Sequence, residues 1–359
     1  FWSSALGGVI AGGHSNSLSR GYNVIGGGIC NTNDGGLTNH LRGAATIGGG
    51  AENLILRDGY LGTIGGGRQN IVTNAGGTIA GGGTNVAREW GFVGGGTANL
   101  AGNYAVVSGG YSNRATYSYS SIGGGTFNNA SSWSSVAGGY SNSAGYLGFI
   151  GGGFRNDSSY GNSDAIAGGQ GNITEGGAAF IGAGFNNYVY GVGVIGGGYG
   201  NQVVAPYAAV LGGAQAYADK HGQQAHAGGA FGIAGDAQAS SYILRYASTN
   251  ASTNALFLDG SATRLTIASG STWTFEILIS ARSNTGNSAG YKFTGVIENV
   301  AGNTAIVGLV TKTVIAEDVG SWDTDVAADN GNDALAVTVN GDTSTVRWVA
   351  SVRTSEVQQ

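Results

Sequence analysis

The stretch Ile-Gly-Gly-Gly-x-x-Asn decides the fold of this 359-residue chain. It reads IGGGICN at residues 25–31, IGGGAEN at 47–53, IGGGRQN at 64–70, IGGGTFN at 122–128, IGGGFRN at 150–156 and IGGGYGN at 195–201. Looser copies between these stretches extend the series of asparagines, which is Asn16, Asn31, Asn53, Asn70, Asn85, Asn99, Asn113, Asn128, Asn142, Asn156, Asn172, Asn187 and Asn201. Ten of the twelve intervals between them are 14 to 16 residues long, and a period this short predicts a solenoid.

A turn of 14 or 15 residues has room for two short strands and two tight corners. We expect the apolar residue before the glycines to point inward and stack on its copy in the next turn. The glycines would adopt positive φ at the corner and let neighbouring backbones approach closely. The asparagine is expected to occupy a left-handed turn position and hydrogen-bond nearby backbone. Stacked turns would then align the asparagines in a structural ladder.

Composition excludes several other classes of protein. The chain holds 72 glycines and 1 proline, but every repeat carries Ile or Val, which argues against disorder, and the glycines lack the three-residue period of collagen. The net charge of −5 makes no basic stripe, so we expect no nucleic-acid partner. No apolar run is long enough for a membrane-spanning helix, so we expect no membrane insertion. Cys30 is the only cysteine, which rules out an intrachain disulfide.

The glycine-rich turns resemble the YadA-like head of trimeric autotransporter adhesins, a left-handed parallel β-roll. The turns at residues 211–218 and 227–230 come closest to that family's alternating Gly and Ala pattern, and the resemblance covers roughly residues 7–235. The chain departs from the family in using Gly-Gly-Gly-x-x-Asn where the adhesins favour Ser and Ala, which leaves the handedness open. The resemblance implies a homotrimer, and a thin roll has reason to bury a face against sister chains.

From about Asp236 the composition changes, because residues 236–359 contain 10 of the 72 glycines. Runs with period-two alternation predict strands at 242–246, 255–258, 264–267, 272–281, 291–297, 305–315, 334–339 and 346–352. Their spacing and their Asp-Gly and Asn-Gly turns favour an antiparallel β-sandwich of jelly-roll type. We therefore predict an all-β chain with two domains: a glycine-rich β-solenoid shaft at 1–235 and a β-sandwich tip at 236–359.

The second part also resembles a known family. The segments WTFE at 273–276, AGYKF at 289–293, VTKTV at 310–314 and RWVA at 347–350 resemble a carboxy-terminal module of phage tail fibres. This resemblance implies a trimeric tail fibre or receptor-binding protein that attaches a virion to a bacterial surface. Its partners would be a host surface glycan or protein and other virion tail proteins, and it would be located in the virion, outside the cell. The first alternative is a bacterial trimeric surface adhesin.

The residues suggest no catalytic chemistry. No lysine follows a glycine cluster in the manner of a phosphate-binding loop, and no pair of the four histidines has a convincing metal-ligand spacing. The acidic run around Trp322 offers oxygen ligands of the kind Ca²⁺ prefers, but a solvated acidic loop is the preferred interpretation. We therefore predict no cofactor, no metal and no enzymatic activity, and a glycan-cleaving tailspike is the less favoured alternative.

Receptor contact is predicted in the tip, where the net charge lies. The residues chosen for it are Trp322, Asp323, Asp325 and Tyr291, because an aromatic ring beside hydrogen-bond acceptors suits sugars. Two features of the shaft are kept as alternatives. One is an inserted loop at 33–40, and the other is a set of aromatic residues that could instead pack between sister chains: Trp90, Tyr111, Tyr117, Tyr119, Trp133 and Tyr140.

Overall fold

The computed structural model describes the backbone of residues 2–3 and all atoms of residues 7–36 and 44–359. The chain forms two compact units, Phe1–Ala178 and Ala179–Gln359, which are described in turn. The regular secondary structure of the described residues consists of β-strands. None of those residues forms a helix that could cross a membrane. The all-β prediction is confirmed.

The first unit is a parallel β-solenoid in which two-residue strands stack in two columns. Nearly every strand pairs in register with the strand one turn later, as Val106 and Val107 pair with Ser121 and Ile122, and isolated bridges at Asp157 connect the last two strands of one column. Numbered in chain order, the first column contains β1 (Trp2–Ser3), β3 (Ser17–Leu18), β5 (Thr32–Asn33), β7 (Leu54–Ile55), β9 (Ile71–Val72), β11 (Val86–Ala87), β13 (Leu100–Ala101), β15 (Arg114–Ala115), β17 (Asn129–Ala130), β19 (Ser143–Ala144) and β22 (Ile173–Glu175). The second column contains β2 (Val9–Ile10), β4 (Val24–Ile25), β6 (Thr46–Ile47), β8 (Thr63–Ile64), β10 (Thr78–Ile79), β12 (Phe92–Val93), β14 (Val106–Val107), β16 (Ser121–Ile122), β18 (Ser135–Val136), β20 (Phe149–Ile150) and β21 (Ala165–Ile166).

The interior of the solenoid follows from the period of two within each strand. The second residue of a strand points inward, and in the second column from β4 onward it is a fully buried Ile or Val, such as Ile122. The opposite column supplies smaller inward residues through much of its length, such as Ala115 and Ala130, which are also fully buried. Large and small side chains therefore face each other across a thin core, and from Val9 onward the first residue of each two-residue strand is the more exposed of the two.

The asparagines form a ladder along one corner of the solenoid, and the contacts of Asn128 are typical. Its Nδ2 donates to the carbonyl oxygen of Gly124 in its own turn at 3.0 Å and to that of Gly139 in the next turn at 2.9 Å. Its Oδ1 accepts the backbone N–H of Asn142 at 3.0 Å. Corresponding bonds join each asparagine from Asn16 to Asn156 to the next turn, and all of these side chains are buried.

The third glycine of the motif has no room for a side chain. Gly125 has φ +86, and a Cβ there would overlap the carbonyl oxygen of Gly139 in the next turn. The expectation that the asparagine itself adopts the left-handed conformation is wrong, because the residue before it does so. Phe127 has φ 57 and Glu52 has φ 56, whereas the buried asparagine that follows each of them does not have positive φ. Asparagine is used for its amide, which matches two carbonyl groups and one N–H.

The second unit begins with further solenoid turns. Its first-column strands are β24 (Tyr188–Tyr190), β26 (Gln202–Val203) and β28 (Tyr217–Ala218), and its second-column strands are β23 (Phe180–Ile181), β25 (Val194–Ile195), β27 (Ala209–Ala214) and β29 (Gln224–Gly228). Asn187 and Asn201 continue the ladder pattern here, since Asn187 Oδ1 accepts the N–H of Asn201 at 3.0 Å. After β29 the pairing changes, because β29 pairs antiparallel with β30, as Gln224 does with Ser241.

Two antiparallel sheets complete this unit. Their strands are β30 (Ala237–Ser248), β31 (Thr253–Ala255), β32 (Ser271–Ser283), β33 (Ser288–Val300), β34 (Asn303–Glu317), β35 (Asp323–Asp329), β36 (Ala334–Asn340) and β37 (Val346–Gln358). The larger sheet has the order β30–β37–β32–β33–β34, and the smaller has the order β31–β36–β35. Side chains of both sheets, including Trp348, Phe275 and Val337, share one buried cluster, as a sandwich requires.

Three strand predictions in this region differ from the structure. The strand expected at 255–258 is β31 at Thr253–Ala255, and it is followed only by an isolated bridge at Phe257. Residues 264–267 form only an isolated bridge at Thr266 rather than a strand. Conversely, the run expected to be an acidic loop is strand β35, in which exposed Asp323 and Asp325 alternate with buried Thr324 and Val326. The period-two alternation of this strand is present in the sequence. Its outward-facing residues are acidic, however, so the composition of the segment resembles that of a loop.

Candidate functional site

The two aromatic residues predicted to contact a receptor lie in the sandwich core. Trp322 is 2% exposed, its ring centroid lies 5.5 Å from that of Trp348, and its Nε1 donates to Asp342 at 3.0 Å. Tyr291 is 1% exposed and its hydroxyl donates to Glu317 at 2.9 Å. Burial raises the pKa of Tyr291, and the neighbouring Glu317 adds to this effect. Neither ring is available for stacking on a ligand in this structure.

The two predicted acidic residues are exposed on β35. Asp323 forms an ion pair with Lys312, and that contact lowers the pKa of the Asp323 carboxyl. Asp325 accepts the backbone N–H of Val326 at 2.9 Å. Among the described residues no group of three or more His, Cys, Asp or Glu side chains could hold a metal ion. The structure thus separates the four chosen residues into a buried aromatic pair and an exposed acidic pair.

The loop predicted at 33–40 is described only in its first half, because residues 37–40 lie outside the described residues. The part from Asn33 to Gly36 still follows the solenoid. The N–H of Asp34 donates to Ile55 O at 3.0 Å in the next turn, and the Asn33 amide donates to Ala45 O at 3.0 Å from inside the core.

Large exposed aromatic side chains are concentrated on the solenoid turns. Trp90, Tyr104, Tyr119 and Trp133, called the corner row below, occupy the same position in four successive turns of the first unit and are 49%, 43%, 49% and 55% exposed. All four have positive φ, between 52° and 60°. Three rings stack in sequence, with centroids 5.2 Å apart for Tyr104 and Tyr119 and 4.3 Å apart for Tyr119 and Trp133.

The sequence does contain the signal for this row. Each member stands nine residues before a ladder asparagine, as Tyr119 does before Asn128. The prediction selected three aromatic residues of this surface by type, including Trp90 and Trp133, but it did not use their phase within the repeat. It therefore missed Tyr104.

A second series of aromatic contacts lies beside the glycine corner. Tyr111, Phe127, Tyr140 and Phe154, called the glycine-edge row, contact one another in order with centroid distances of 5.4, 5.7 and 5.2 Å. Arg155 covers the last ring at 5.0 Å. Phe127 has φ 57 and is 47% exposed, so its backbone and exposure closely match those of Tyr119.

A row of polar residues lies directly beside the corner row. Glu89, Asn103, Ser118 and Ser132, called the polar row, each precede a member of the corner row by one residue. The backbone carbonyls of the first three accept the N–H groups of the aromatic residues one turn later, as Ser118 O accepts the N–H of Trp133 at 3.1 Å and Glu89 O accepts that of Tyr104 at 2.8 Å, and Ser132 O accepts the N–H of Leu147 at 3.1 Å. A carboxylate, an amide and two hydroxyl groups therefore run parallel to the aromatic rings.

The second unit contains a cavity of about 340 Å³ beside its last solenoid turn. Glu356 lies between Gln238 and Trp273 on adjacent strands and accepts Nε2 of Gln238 at 2.9 Å. Asp219 and Lys220, which form an ion pair, line the same cavity. The cavity is thus lined by two carboxylates, one ammonium group and two aromatic side chains, those of Tyr217 and Trp273.

Comparison with known proteins gives only distant similarities. No protein-family model and no curated protein sequence matches the chain. The tailspike protein of Acinetobacter phage vB_ApiP_P1 is similar at 9% identity and a TM-score of 0.25, over 98% of this chain and 80% of that one. The tailspike protein gp49 of Acinetobacter baumannii bacteriophage Fri1, described as a capsular polysaccharide depolymerase, is similar at 8% identity and a TM-score of 0.23, over 98% of this chain and 82% of that one.

These similarities correct one prediction. The prediction that the chain has no enzymatic activity is contradicted, because one of the similar structures is that of a protein described as a capsular polysaccharide depolymerase. The exclusion of an enzyme is therefore withdrawn. It rested on the lack of a recognisable catalytic motif, and polysaccharide cleavage needs only two suitably placed carboxylates, which can come from distant parts of a sequence.

Proposed function

We propose that the chain is a phage tail fibre or receptor-binding protein that attaches a virion to the surface of its bacterial host. The observation that carries this proposal is the long stack of short, hydrogen-bonded turns that displays aromatic side chains in register. Such a stack suits a stiff spacer, because each turn contacts only its neighbours and the ladder fixes their register. The tail-fibre-like segments of the sandwich and the location of the similar structures in phage tails agree with it.

We further propose that residues 1–235 act as the shaft and residues 236–359 as the tip of a homotrimer in the virion. A roll with a thin core gains stability by burying a face against two sister chains, and three copies of one weak contact give avidity. A native mass equal to the 35.7 kDa chain at micromolar concentration would contradict the trimer, whereas three times that mass supports it.

Attachment is tested with antibodies raised against the whole chain. We expect them to label the tail region of virions in electron micrographs and to inhibit adsorption to host cells, and we expect the purified protein to compete with virions for those cells. Labelling of bacterial envelopes without labelling of virions would instead support the alternative function, a bacterial surface adhesin.

A second candidate function is cleavage of a surface polysaccharide. The cavity that contains Asp219 and Glu356 favours it, because glycoside hydrolysis uses two carboxylates facing one cleft. The purified protein is incubated with capsular polysaccharide from the host, and new reducing ends are measured over time. Cleavage that is abolished by Asp219→Asn in a folded protein supports this function. Cleavage that persists in the variant places the reaction elsewhere.

A further inference from the structure

We infer that the corner row and the polar row together form a glycan-binding surface that spans four solenoid turns. The inference deepens the proposed function, on which it rests, because it names an oligosaccharide chain as the ligand and moves the contact from the tip to the shaft. It is carried by the position of aromatic and hydrogen-bonding groups in two parallel rows of the first unit.

The stacking of the rings determines which atoms face outward. Tyr119 lies between Tyr104 and Trp133, and the planes of neighbouring rings differ by only 16° and 24°. Rings stacked along the solenoid axis cover each other's faces and present their edges to solvent. An aromatic edge carries positive partial charge, and Tyr and Trp add an O–H or N–H group, so this surface attracts oxygen atoms.

The polar row provides the complementary groups. Glu89 and Ser118 are half-buried, which limits their conformational freedom, and the Asn103 amide donates to the Glu89 carboxylate at 3.5 Å. Carboxylate and amide oxygens accept hydrogen bonds from hydroxyl groups, and the serine hydroxyls donate or accept. A ligand that lies across both rows therefore needs many hydroxyl groups, which is the composition of a sugar chain.

The repeat distance favours a chain over a single sugar. Adjacent parallel strands lie about 4.8 Å apart, so four successive turns extend about 14 Å along the axis. Each turn offers one ring edge and one polar side chain, and a linear polymer can use several such pairs at once. An individually weak contact becomes effective when it is repeated along the polymer.

The glycine-edge row supplies a matched control. Tyr119→Asn and Phe127→Asn both remove a half-exposed ring from between two other rings, and both place asparagine at a positive φ that it tolerates. Only the first variant alters the surface beside the polar row. Tyr119→Phe removes the hydroxyl and keeps the ring.

The experiment uses the whole chain and a set of purified bacterial capsular polysaccharides and lipopolysaccharide O-chains, with binding measured by biolayer interferometry. We expect the wild-type protein to bind at least one of them and Tyr119→Asn to weaken this binding about tenfold, which corresponds to the loss of one aromatic contact. Phe127→Asn should bind as the wild type does. Circular dichroism and melting temperature verify that each variant is folded.

Three results would overturn the inference. They are binding that is unchanged in Tyr119→Asn, binding that is weakened equally by both substitutions, and a wild-type protein that binds host cells but none of the polysaccharides. The last result leaves the proposed function intact and indicates a protein receptor or a contact with a second chain. The proposed function fails separately, if antibodies against the chain do not label virions, whatever the result of the glycan assay.

Discussion

Replacement of Asn128 by Leu tests whether the asparagine ladder stabilises the solenoid. Leu has the same number and branching of side-chain heavy atoms but no hydrogen-bonding group, and the site is fully buried. The substitution removes the bonds that the Asn128 amide donates to Gly124 O at 3.0 Å, to Gly139 O at 2.9 Å and to Asn113 Oδ1 at 3.2 Å. It also removes the Oδ1 acceptor of the Asn142 N–H.

The lost bonds do not all cost the same free energy. The carbonyl of Gly139 keeps a second partner, because it also accepts the N–H of Thr126 at 2.9 Å. The N–H of Asn142 is buried and loses its acceptor, and an unsatisfied buried group costs about 1–3 kcal/mol. With about 1 kcal/mol for the remaining weakened contacts, we expect the free energy of unfolding to fall by about 2–4 kcal/mol.

The measurement is the midpoint of guanidinium unfolding for the whole chain, combined with hydrogen exchange of the Asn142 amide. The control is Asn129→Leu, the same change at the adjacent exposed position on β17, which should alter stability by less than about 0.5 kcal/mol. We expect faster exchange at Asn142 only in the ladder variant. Equal midpoints for the two variants, or an unchanged exchange rate at Asn142, would refute the ladder as a source of stability.

Three further predictions concern backbone geometry, pH and the core. Gly67→Ala should lower the free energy of unfolding by about 2 kcal/mol or more, because Gly67 has φ +89 and a Cβ there would overlap a carbonyl oxygen of the next turn. The control is Gly66→Ala, which has open space for a Cβ and should leave thermal unfolding unchanged. Hydrogen bonds from backbone N–H groups, of which that of Thr263 contributes most, lower the pKa of the Asp259 carboxyl. The contribution of this carboxylate to stability is therefore present above the ordinary carboxyl pKa of 3.8 and is lost as the pH falls further. The difference in melting temperature between the wild type and Asp259→Asn should shrink in acid, and a difference that grows there would contradict this prediction. Trp322→Ala should cost about 3–5 kcal/mol in denaturant unfolding as a core truncation, and a fully stable variant would show that the ring is not part of the core.

The solenoid could be predicted from sequence because its period directly encodes its geometry. A turn that must return to the same position every 14 or 15 residues repeats Ile at an inward site, glycine where the next backbone approaches, and asparagine where two turns need joining. The sandwich strands were predicted less accurately, since β35 has acidic outward positions. A period-two pattern such as that of Asp323 to Val326 should outweigh composition when the two disagree.

The candidate site was harder to predict for a physical reason. Whether an aromatic ring is buried depends on what packs over it, and local sequence does not contain that information. Trp322 and Tyr291 are covered by the opposite layer of the sandwich, whereas Tyr119 projects from a corner of the solenoid. Phase within a repeat does identify outward positions, so the corner row was available from the spacing of nine residues to the ladder. In the sandwich, period-two alternation separates two faces of each strand but does not tell which face the opposite sheet covers.

The corner row is not required by the backbone, and Tyr119→Gly tests that statement. The same repeat position is occupied by Gly76 two turns before Tyr104, at φ +65, so glycine fits the conformation. The substitution should relieve about 1 kcal/mol of left-handed strain. It should also remove two ring contacts worth about 0.5–1.5 kcal/mol each, so we expect the free energy of unfolding to fall by no more than about 2 kcal/mol. A fall in the free energy of unfolding of more than about 4 kcal/mol would show that contacts between the rings stabilise the solenoid. Stability alone would then explain the corner row, without a ligand. If Tyr119→Gly lowers the free energy of unfolding only slightly but weakens glycan binding as much as Tyr119→Asn does, the aromatic side chains at this corner serve to bind the glycan and are not needed for folding.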